Sequence, residues 1–285
     1  MDPRIIKLYD EYTHAPLPRR VFLERLAALT GSVTAASALL PLLDNNYALA
    51  AIIAADDARI DTSTITYPGK TGAVKAYLAR PKGSDKRAGV LVIHENRGLQ
   101  PYIADVARRL AVAGYVALAP DLLTPLGGAD PDEDKARAQY AKLKPEDALA
   151  DLRSGIAHLE ARPDATGKIG VVGFCAGGTY TKLVAATDPD ITATVVFYGA
   201  APPPEVAKNT KSKVLAHYAE NDDRVNSAQP GYEAALKEAG VPYTAYRYPG
   251  TQHAFHNDTS AARYNKEAAE LAWSRTVAFF KETLS

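Results

Sequence analysis

The single cysteine of the chain stands in a setting typical of a catalytic nucleophile. Cys175 lies in the segment GFCAGG at residues 173–178, between an apolar run and a helical one. This G-x-C-x-G pattern resembles the tight strand-to-helix turn that holds a nucleophile above a sheet. The helix N-terminus would favour a thiolate. We therefore predict a nucleophilic thiol; the alternative is a small buried residue in a glycine-rich turn.

A nucleophile on such a turn needs a base, and the histidine follows it in the chain. Three histidines do so: His217, His253 and His256. His217 lies within an apolar strand-like segment, which favours a core or surface role. His253 follows the last predicted strand in a glycine-containing loop, so we predict that it is the base. His253 and His256 also form an H-x-x-H pair, but without a strong third ligand it predicts no metal site.

The acid that orients the histidine is expected in the loop after the strand at 213–219. That loop offers Glu220, Asp222 and Asp223. Asp222 has the D-x-x-V spacing common there and is the preferred candidate. Asp223 is the alternative, and one of the two aspartates would cap the following helix.

The segment HENRG at residues 94–98 follows another buried strand and is expected to border the same site. In this arrangement it supplies one oxyanion N–H, predicted to be that of Asn96, while Ala176 supplies the other. Glu95 would lie beside the thiol, where a carboxyl group could take or hold a proton. A salt bridge to Arg97 is its alternative role.

The elements that must position these residues alternate between strand and helix. Period-two segments at 62–67 and 74–80 predict an amino-terminal β-hairpin. Continuous apolar runs predict strands buried on both faces. Strands are predicted at 88–94, 115–119, 168–174, 191–198, 213–219 and 241–247, and helices at 101–113, 131–143, 146–161, after 175, after 227 and at 264–284. The order predicts an α/β fold: a mostly parallel sheet flanked by helices on both faces, with functional residues at the strands' carboxyl ends.

Composition narrows the function classes further. The chain has 285 residues, one cysteine and a formal net charge of zero. One cysteine excludes an intramolecular disulfide framework and a cysteine-based zinc finger. Zero net charge argues against a nucleic-acid partner. Residues 51–285 are predicted to form a single catalytic domain.

Residues 1–50 differ from the rest and are predicted to form a leader. Arg19-Arg20 precedes the uncharged run at 26–43, and Ala48-Leu49-Ala50 offers a cleavage site. This resembles a twin-arginine export signal, which predicts a periplasmic protein. The run is short and weak for a membrane span. The alternative is a cytoplasmic protein that keeps a helical amino-terminal extension, with Pro18 leading one helix and Pro41 ending another.

Several stretches together resemble the dienelactone hydrolase family, the carboxymethylenebutenolidase-like α/β-hydrolases. The resemblance spans residues 60–284 and rests on IHENRGLQPYIADVARRLAVAGYVALAPDLL (93–123), IGVVGFCAGG (169–178), VVFYGA (195–200), HYAENDDRVN (217–226) and YPGTQHAFHND (248–258). It implies an α/β-hydrolase fold, a triad of Cys175, His253 and Asp222, and a thiol-contacting Glu95. It also implies hydrolysis of an enol-lactone through an acyl-cysteine, with no cofactor or metal.

One departure from the family pattern affects the expected substrate but not the expected chemistry. Family members that act on dienelactone carry arginines for the substrate carboxylate shortly after a P-D-L-Y stretch and after the catalytic histidine. Here residues 120–123 read PDLL, and Ala254-Phe255 follows His253. We therefore expect a hydrolase of a small ester or lactone. The competing hypothesis is a catalytically idle binding protein that retains the fold.

Overall fold

The computed structural model describes residues 1–14, 17–49 and 52–285. Within these ranges the chain forms one eight-stranded sheet with helices around it. The strands are β1 Ile60–Gly69, β2 Gly72–Pro81, β3 Arg87–Ile93, β4 Val116–Pro120, β5 Ala165–Phe174, β6 Ile191–Phe197, β7 Lys213–Asn221 and β8 Tyr243–Gln252. The helices are α1 Pro3–His14, α2 Arg19–Thr30, α3 Val33–Leu43, α4 Pro101–Val112, α5 Glu133–Tyr140, α6 Pro145–Glu160, α7 Ala176–Thr187, α8 Pro204–Ala207, α9 Asp223–Asn226, α10 Gln229–Glu238 and α11 Lys266–Leu284.

The sheet has the order β1-β2-β4-β3-β5-β6-β7-β8. β1 and β2 form an antiparallel hairpin, and β2 also runs antiparallel to β4. The remaining neighbours, from β4 to β8, are parallel. The predicted hairpin and mostly parallel sheet are confirmed.

Helices cover both faces of the sheet because its central strands are apolar on both sides. Val90 and Val92 of β3 pack in a core with α4 and α11. Leu91 and Ile93 of the same strand point the other way, into a core with α6 and α7. The period-two alternation of a strand thus supplies two hydrophobic layers from one apolar run.

The parallel register brings several strand ends to one edge of the sheet. Ile93 of β3 pairs with Gly173 of β5, which in turn pairs with Val196 of β6. β7 and β8 follow in the same direction and end at Asn221 and Gln252. The segments after β3, β5, β7 and β8, which carry the predicted site residues, therefore emerge on the same side.

Some boundaries differ from those predicted. Helix α5 covers only Glu133–Tyr140 of the segment predicted at 131–143, because Asp132 caps its N-terminus by accepting from the backbone N–H groups of Asp134 and Lys135. Strand β8 runs on to Gln252. Pro41 does not end a helix: α3 continues through it to Leu43.

The first three helices form a small core of their own. Tyr9, Phe22, Leu26 and Leu43 are buried among them, and Ala262 of the main domain packs against this cluster. In the described parts of the chain no single helix is long and apolar enough to cross a membrane; α2 and α3 pass that test together but meet at a bend of 111°. Of the predicted cleavage pattern at 48–50, Ala50 lies outside the described residues.

Candidate active site

Cys175 occupies a strained turn between β5 and α7. Its backbone has φ 55° and ψ −117°, a conformation that side-chain-bearing residues rarely adopt. Close backbone approach explains the flanking glycines. A Cβ at Gly173 would lie 2.3 Å from the carbonyl oxygen of Gly177, and one at Gly177 would lie 2.2 Å from that of Ile93. This is the geometry of a nucleophile elbow.

The structure brings His253 and Asp222 together beside this turn. His253 Nδ1 lies 2.6 Å from Asp222 Oδ2, and both side chains are buried. The ring faces the thiol, because a His253 nitrogen and Cys175 Sγ lie within 4.8 Å of each other. His253 Nε2 is buried without a hydrogen-bond partner among the described residues. It is the nitrogen left for proton transfer.

Of the two candidate acids, Asp222 is the one that contacts the imidazole. Its other carboxylate oxygen accepts a 3.3 Å hydrogen bond from the backbone N–H of Val225, so it also caps α9. Asp223 is exposed in the first turn of that helix. Arg224 lies 3.3 Å from His253 Nδ1 through its guanidinium, a contact that the sequence pattern did not indicate.

The charges in this cluster reinforce a thiolate–imidazolium pair. Burial opposes the thiolate, but His14 and His253 outweigh it and hold the pKa of Cys175 well below its ordinary value. Burial likewise opposes the imidazolium, but Asp222, Cys175 and Asp10 raise the pKa of His253 to about 10. Both shifts favour the thiolate–imidazolium pair over the neutral pair.

Glu95 is buried near this pair, but its hydrogen bond goes elsewhere. Its Oε2 accepts a 2.9 Å hydrogen bond from Asn257 Nδ2. Burial and the charge of Cys175 raise the pKa of Glu95, against the opposing effect of Arg97. Arg97 itself pairs with Glu133 at 2.9 Å. The carboxyl group is thus coupled to the thiol through charge.

Asn96 and Ala176 border a cavity of about 640 Å³ that reaches Cys175. Ala176 begins α7, so its backbone N–H has no partner inside that helix. Asn96 is buried, and its side chain donates a 2.8 Å hydrogen bond to the carbonyl oxygen of Thr13. The same cavity is lined by the end of α1, by α5 and by Arg224.

The residue that sequence reasoning missed is His14, at the end of α1. Its Nε2 lies 3.0 Å from Cys175 Sγ. Its ring packs edge-on against that of His253, with ring centroids 4.6 Å apart. No sequence motif includes His14, because 161 residues separate it from Cys175. The available signal was only that α1 is amphipathic and carries Asp10 four residues earlier.

The other histidines lie outside this cluster. His217 is fully buried in β7 and bonds to Tyr248 and Thr276. His256 bonds to the hydroxyl of Tyr102, so it does not join His253 in a ligand pair. His14 and His253, in contrast, both lie beside Cys175, with nitrogen atoms within 4.8 Å of its sulfur.

Comparison with known proteins places this site in a family. The model of the "Dienelactone hydrolase family" matches residues 74–284. The chain belongs to the dienelactone hydrolase family. The match includes Cys175, Asp222 and His253 and excludes α1 to α3.

Individual relatives agree with this assignment. The chain is 31% identical over 243 residues to a "Putative carboxymethylenebutenolidase" of Synechocystis, covering 79% of this chain and 98% of that protein. It is 50% identical to "Putative hydrolase fragment YghX" of Escherichia coli K12 over 113 residues, 39% of this chain and 97% of the fragment. A crystal structure described as a "Putative Dienelactone Hydrolase" from Klebsiella pneumoniae superposes with a TM-score of 0.70 at 30% identity, covering 78% of this chain and 99% of that one.

Membership of this family makes the protein a hydrolase acting on esters or lactones. Its substrates are accordingly small molecules. The segments after β3, β5, β6 and β7 contribute residues to the cavity at Cys175, and the carboxyl ends of strands are the usual place for a ligand in an open α/β sheet.

Proposed function

We propose that the protein hydrolyses small esters or lactones through an acyl-cysteine intermediate on Cys175. The observation that carries this proposal is the thiol on a strained elbow, within reach of a buried imidazole that a 2.6 Å contact ties to Asp222. Nucleophile, base and orienting acid are the three parts that covalent acyl transfer requires.

The first half-reaction transfers the acyl group to sulfur. The Cys175 thiolate attacks the carbonyl carbon, an S–C bond forms, and the carbonyl electron pair moves to oxygen. The backbone N–H groups of Asn96 and Ala176 would stabilise that oxyanion. Collapse of the intermediate breaks the ester C–O bond, and the His253 imidazolium gives its Nε2 proton to the departing oxygen.

The second half-reaction releases the acid. Neutral His253 takes a proton from water as the water oxygen attacks the acyl carbon, and the S–C bond breaks to restore the thiolate. Asp222 holds Nδ1–H throughout, which keeps Nε2 directed at the reaction. Burial and the charge of the thiolate raise the pKa of Glu95, so a negative charge on either group disfavours a negative charge on the other.

The cavity supports a compact substrate. Its volume of about 640 Å³ lies in the range usual for small-molecule sites. Arg137 and Arg224 border it, although the arginines expected from the family pattern are missing. The guanidinium of Arg137 is already paired with the carboxylate of Asp134 and donates to the carbonyl oxygen of Tyr12. Arg224 is 42% exposed and could meet an anionic acyl group.

Replacement of the thiol tests the proposal. Cys175→Ala and Cys175→Ser variants should lose activity on p-nitrophenyl acetate and on a panel of small lactones, by on the order of 10³-fold or more. A Cys175→Ala variant as active as the wild type would exclude the cysteine mechanism. An inert thiol in a wild-type protein that hydrolyses none of these compounds would favour the binding-protein alternative.

Export by the twin-arginine-like pair Arg19-Arg20 stays a prediction, as does its alternative of a cytoplasmic protein with retained helices. The docking of α1 on Cys175 supports retention, because removal of residues 1–50 would remove His14. Intact mass spectrometry of the protein from its native host distinguishes the two: a mature N-terminus near Ala51 indicates cleavage, and one at the start of the chain indicates retention.

A further inference from the structure

The end of helix α1 lies directly on the nucleophile. His14 Nε2 is 3.0 Å from Cys175 Sγ, and the His14 side chain is only 10% exposed. The His14 ring also packs edge-on against the ring of His253, with ring centroids 4.6 Å apart. A sulfur atom in contact with a buried imidazole has a second partner besides the triad histidine.

His14 is held in the orientation that this contact requires. Its Nδ1 lies 2.9 Å from the carbonyl oxygen of Asp10 and 3.1 Å from the carboxylate of the same residue. Nδ1 therefore donates to Asp10, which directs Nε2 to the sulfur. Asp10 is in turn 3.6 Å from the guanidinium of Arg224. A carboxylate thus lies near Nδ1 of both imidazoles, although the hydrogen bond of His14 goes to the carbonyl oxygen of Asp10 and that of His253 goes to the carboxylate of Asp222.

The last turn of α1 is anchored to the catalytic domain by buried and half-buried contacts. Asn96 donates to the carbonyl oxygen of Thr13 at 2.8 Å, and Arg137 donates to that of Tyr12 at 2.7 Å. The Tyr12 hydroxyl donates to Asp134 at 2.7 Å, and the Arg137 guanidinium stacks on the Tyr12 ring. These bonds satisfy carbonyl groups that a helix C-terminus leaves unpaired. They hold His14 in place from residues that line the cavity.

We propose that His14 is a catalytic residue whose imidazolium holds Cys175 as a thiolate, so that the end of helix α1 is part of the active site. The inference rests on the proposed function of Cys175. In this proposal the two imidazoles have different roles. His14 stays protonated and stabilises the sulfur anion before attack and after deacylation, while His253 carries the proton that moves between the substrate oxygen, water and Nε2. No proton is lost from His14 in the cycle, so the overall balance of ester plus water to acid plus alcohol is unchanged.

The electrostatics of the cluster agree with this division. Burial lowers the pKa of His14, but the charge of Cys175 and the hydrogen bond to Asp10 outweigh it and raise that pKa. The charge of His253 acts in the opposite direction on His14. The charged groups that act on the thiol include His14 from α1, His253 from the loop after β8 and the buried Glu95 from the loop after β3.

A variant that keeps the shape but removes the charge tests the proposal. His14→Gln retains an amide N–H near the sulfur and cannot become a cation. The rate of iodoacetamide alkylation of the single thiol, measured against pH, reports the thiolate directly. We expect the profile to move to higher pH by about one unit or more, so that the rate on its acid limb falls by about 10-fold or more. The kcat/KM for p-nitrophenyl acetate should fall over the same pH range.

Three controls separate this role from a structural one. His158→Gln removes an imidazole of α6 that stacks on Tyr67 of β1, and it should leave the alkylation profile unchanged. Asp10→Asn removes the negative charge that lies 3.1 Å from His14 Nδ1 and should shift the profile in the same direction by a smaller amount. Added imidazole should restore activity to a His14→Ala variant, because that variant opens a space beside the sulfur, and should not restore Cys175→Ala.

The outcomes distinguish this inference from the proposed function. A His14→Gln variant that folds, as judged by its circular dichroism spectrum and Tm, and keeps the wild-type alkylation profile overturns the role of His14 while Cys175 stands. If His14→Gln does not fold, an Asp10→Asn profile identical to the wild type overturns it instead. Full activity of Cys175→Ala overturns the proposed function itself.

Discussion

Replacement of Asp222 by Asn separates the triad acid from its neighbour. Asp222→Asn keeps the size of the side chain but removes the charge that lies 2.6 Å from His253 Nδ1. Against burial, Asp222 is the foremost of the charges that raise the pKa of His253 to about 10. A close opposite charge shifts a pKa by about 1–3 units, and each unit corresponds to about 1.4 kcal/mol. The imidazolium should therefore lose about 1.4–4 kcal/mol of stabilisation.

The loss has a measurable consequence for the rate and for its pH dependence. A loss of about 1.4–4 kcal/mol corresponds to a fall in kcat of about 10- to 10³-fold, and an inverted imidazole tautomer would extend it towards 10⁴-fold. The protonated form of His253 is present below its pKa. As that pKa falls, the alkaline limb of the kcat profile on p-nitrophenyl acetate should move to lower pH.

Asp223→Asn is the matched control, because Asp223 is the next residue, is exposed and does not contact His253. It should retain nearly full activity and the wild-type pH profile. A large loss in Asp223→Asn together with an unimpaired Asp222→Asn would refute the assignment of the triad acid. Equal Tm values for the two variants would show that the difference lies in the chemistry.

Three further variants test separate features of the site. Gly177→Ala places a Cβ 2.2 Å from the carbonyl oxygen of Ile93, so the free energy of unfolding should fall by about 1–3 kcal/mol or more. Gly231→Ala on α10, whose Cβ would lie at an ordinary contact distance of 3.9 Å from Pro204 Cγ, should not lower it. Equal urea midpoints for the two variants would contradict the steric explanation of the elbow. Glu95→Gln removes a carboxyl group whose pKa the thiolate raises, so the pKa of Cys175 should fall and its alkylation profile should move to lower pH, opposite to His14→Gln; an unmoved profile would show that the two groups are not coupled. Arg224→Gln should raise KM for an ester with an anionic acyl group by about 10- to 100-fold, which corresponds to one charge-assisted hydrogen bond. KM for the neutral acetate ester should change much less. A parallel change for both esters would exclude a role of Arg224 in binding the anion.

The sequence was sufficient to predict the sheet and the elbow because local rules determine both. The run at 88–94 is apolar on both faces, and residues 90–93 do serve two cores from one strand. Gly173 and Gly177 are readable as a motif because backbone atoms approach too closely there for any side chain. Asp222 and His253 could be placed at strand ends because parallel strands bring those ends together.

The fold of the amino-terminal region could not be predicted from local sequence rules. Arg19-Arg20 and the apolar run after it have the composition of an export signal, but the same leucines form a small helical core when α1 is available to cover them. His14 reaches Cys175 through the packing of that core and through bonds from Asn96 and Arg137. A contact across 161 residues leaves no periodicity or spacing to read in one sequence.

Trapping of the acyl-enzyme tests the central claim most directly. The wild-type protein is mixed with p-nitrophenyl acetate, quenched in acid within the first turnovers and analysed by intact and peptide mass spectrometry. We predict one acetyl group, carried by the peptide that contains Cys175 and absent from the Cys175→Ala variant. Steady hydrolysis with no adduct on that peptide, sustained in the Cys175→Ala variant, would contradict it.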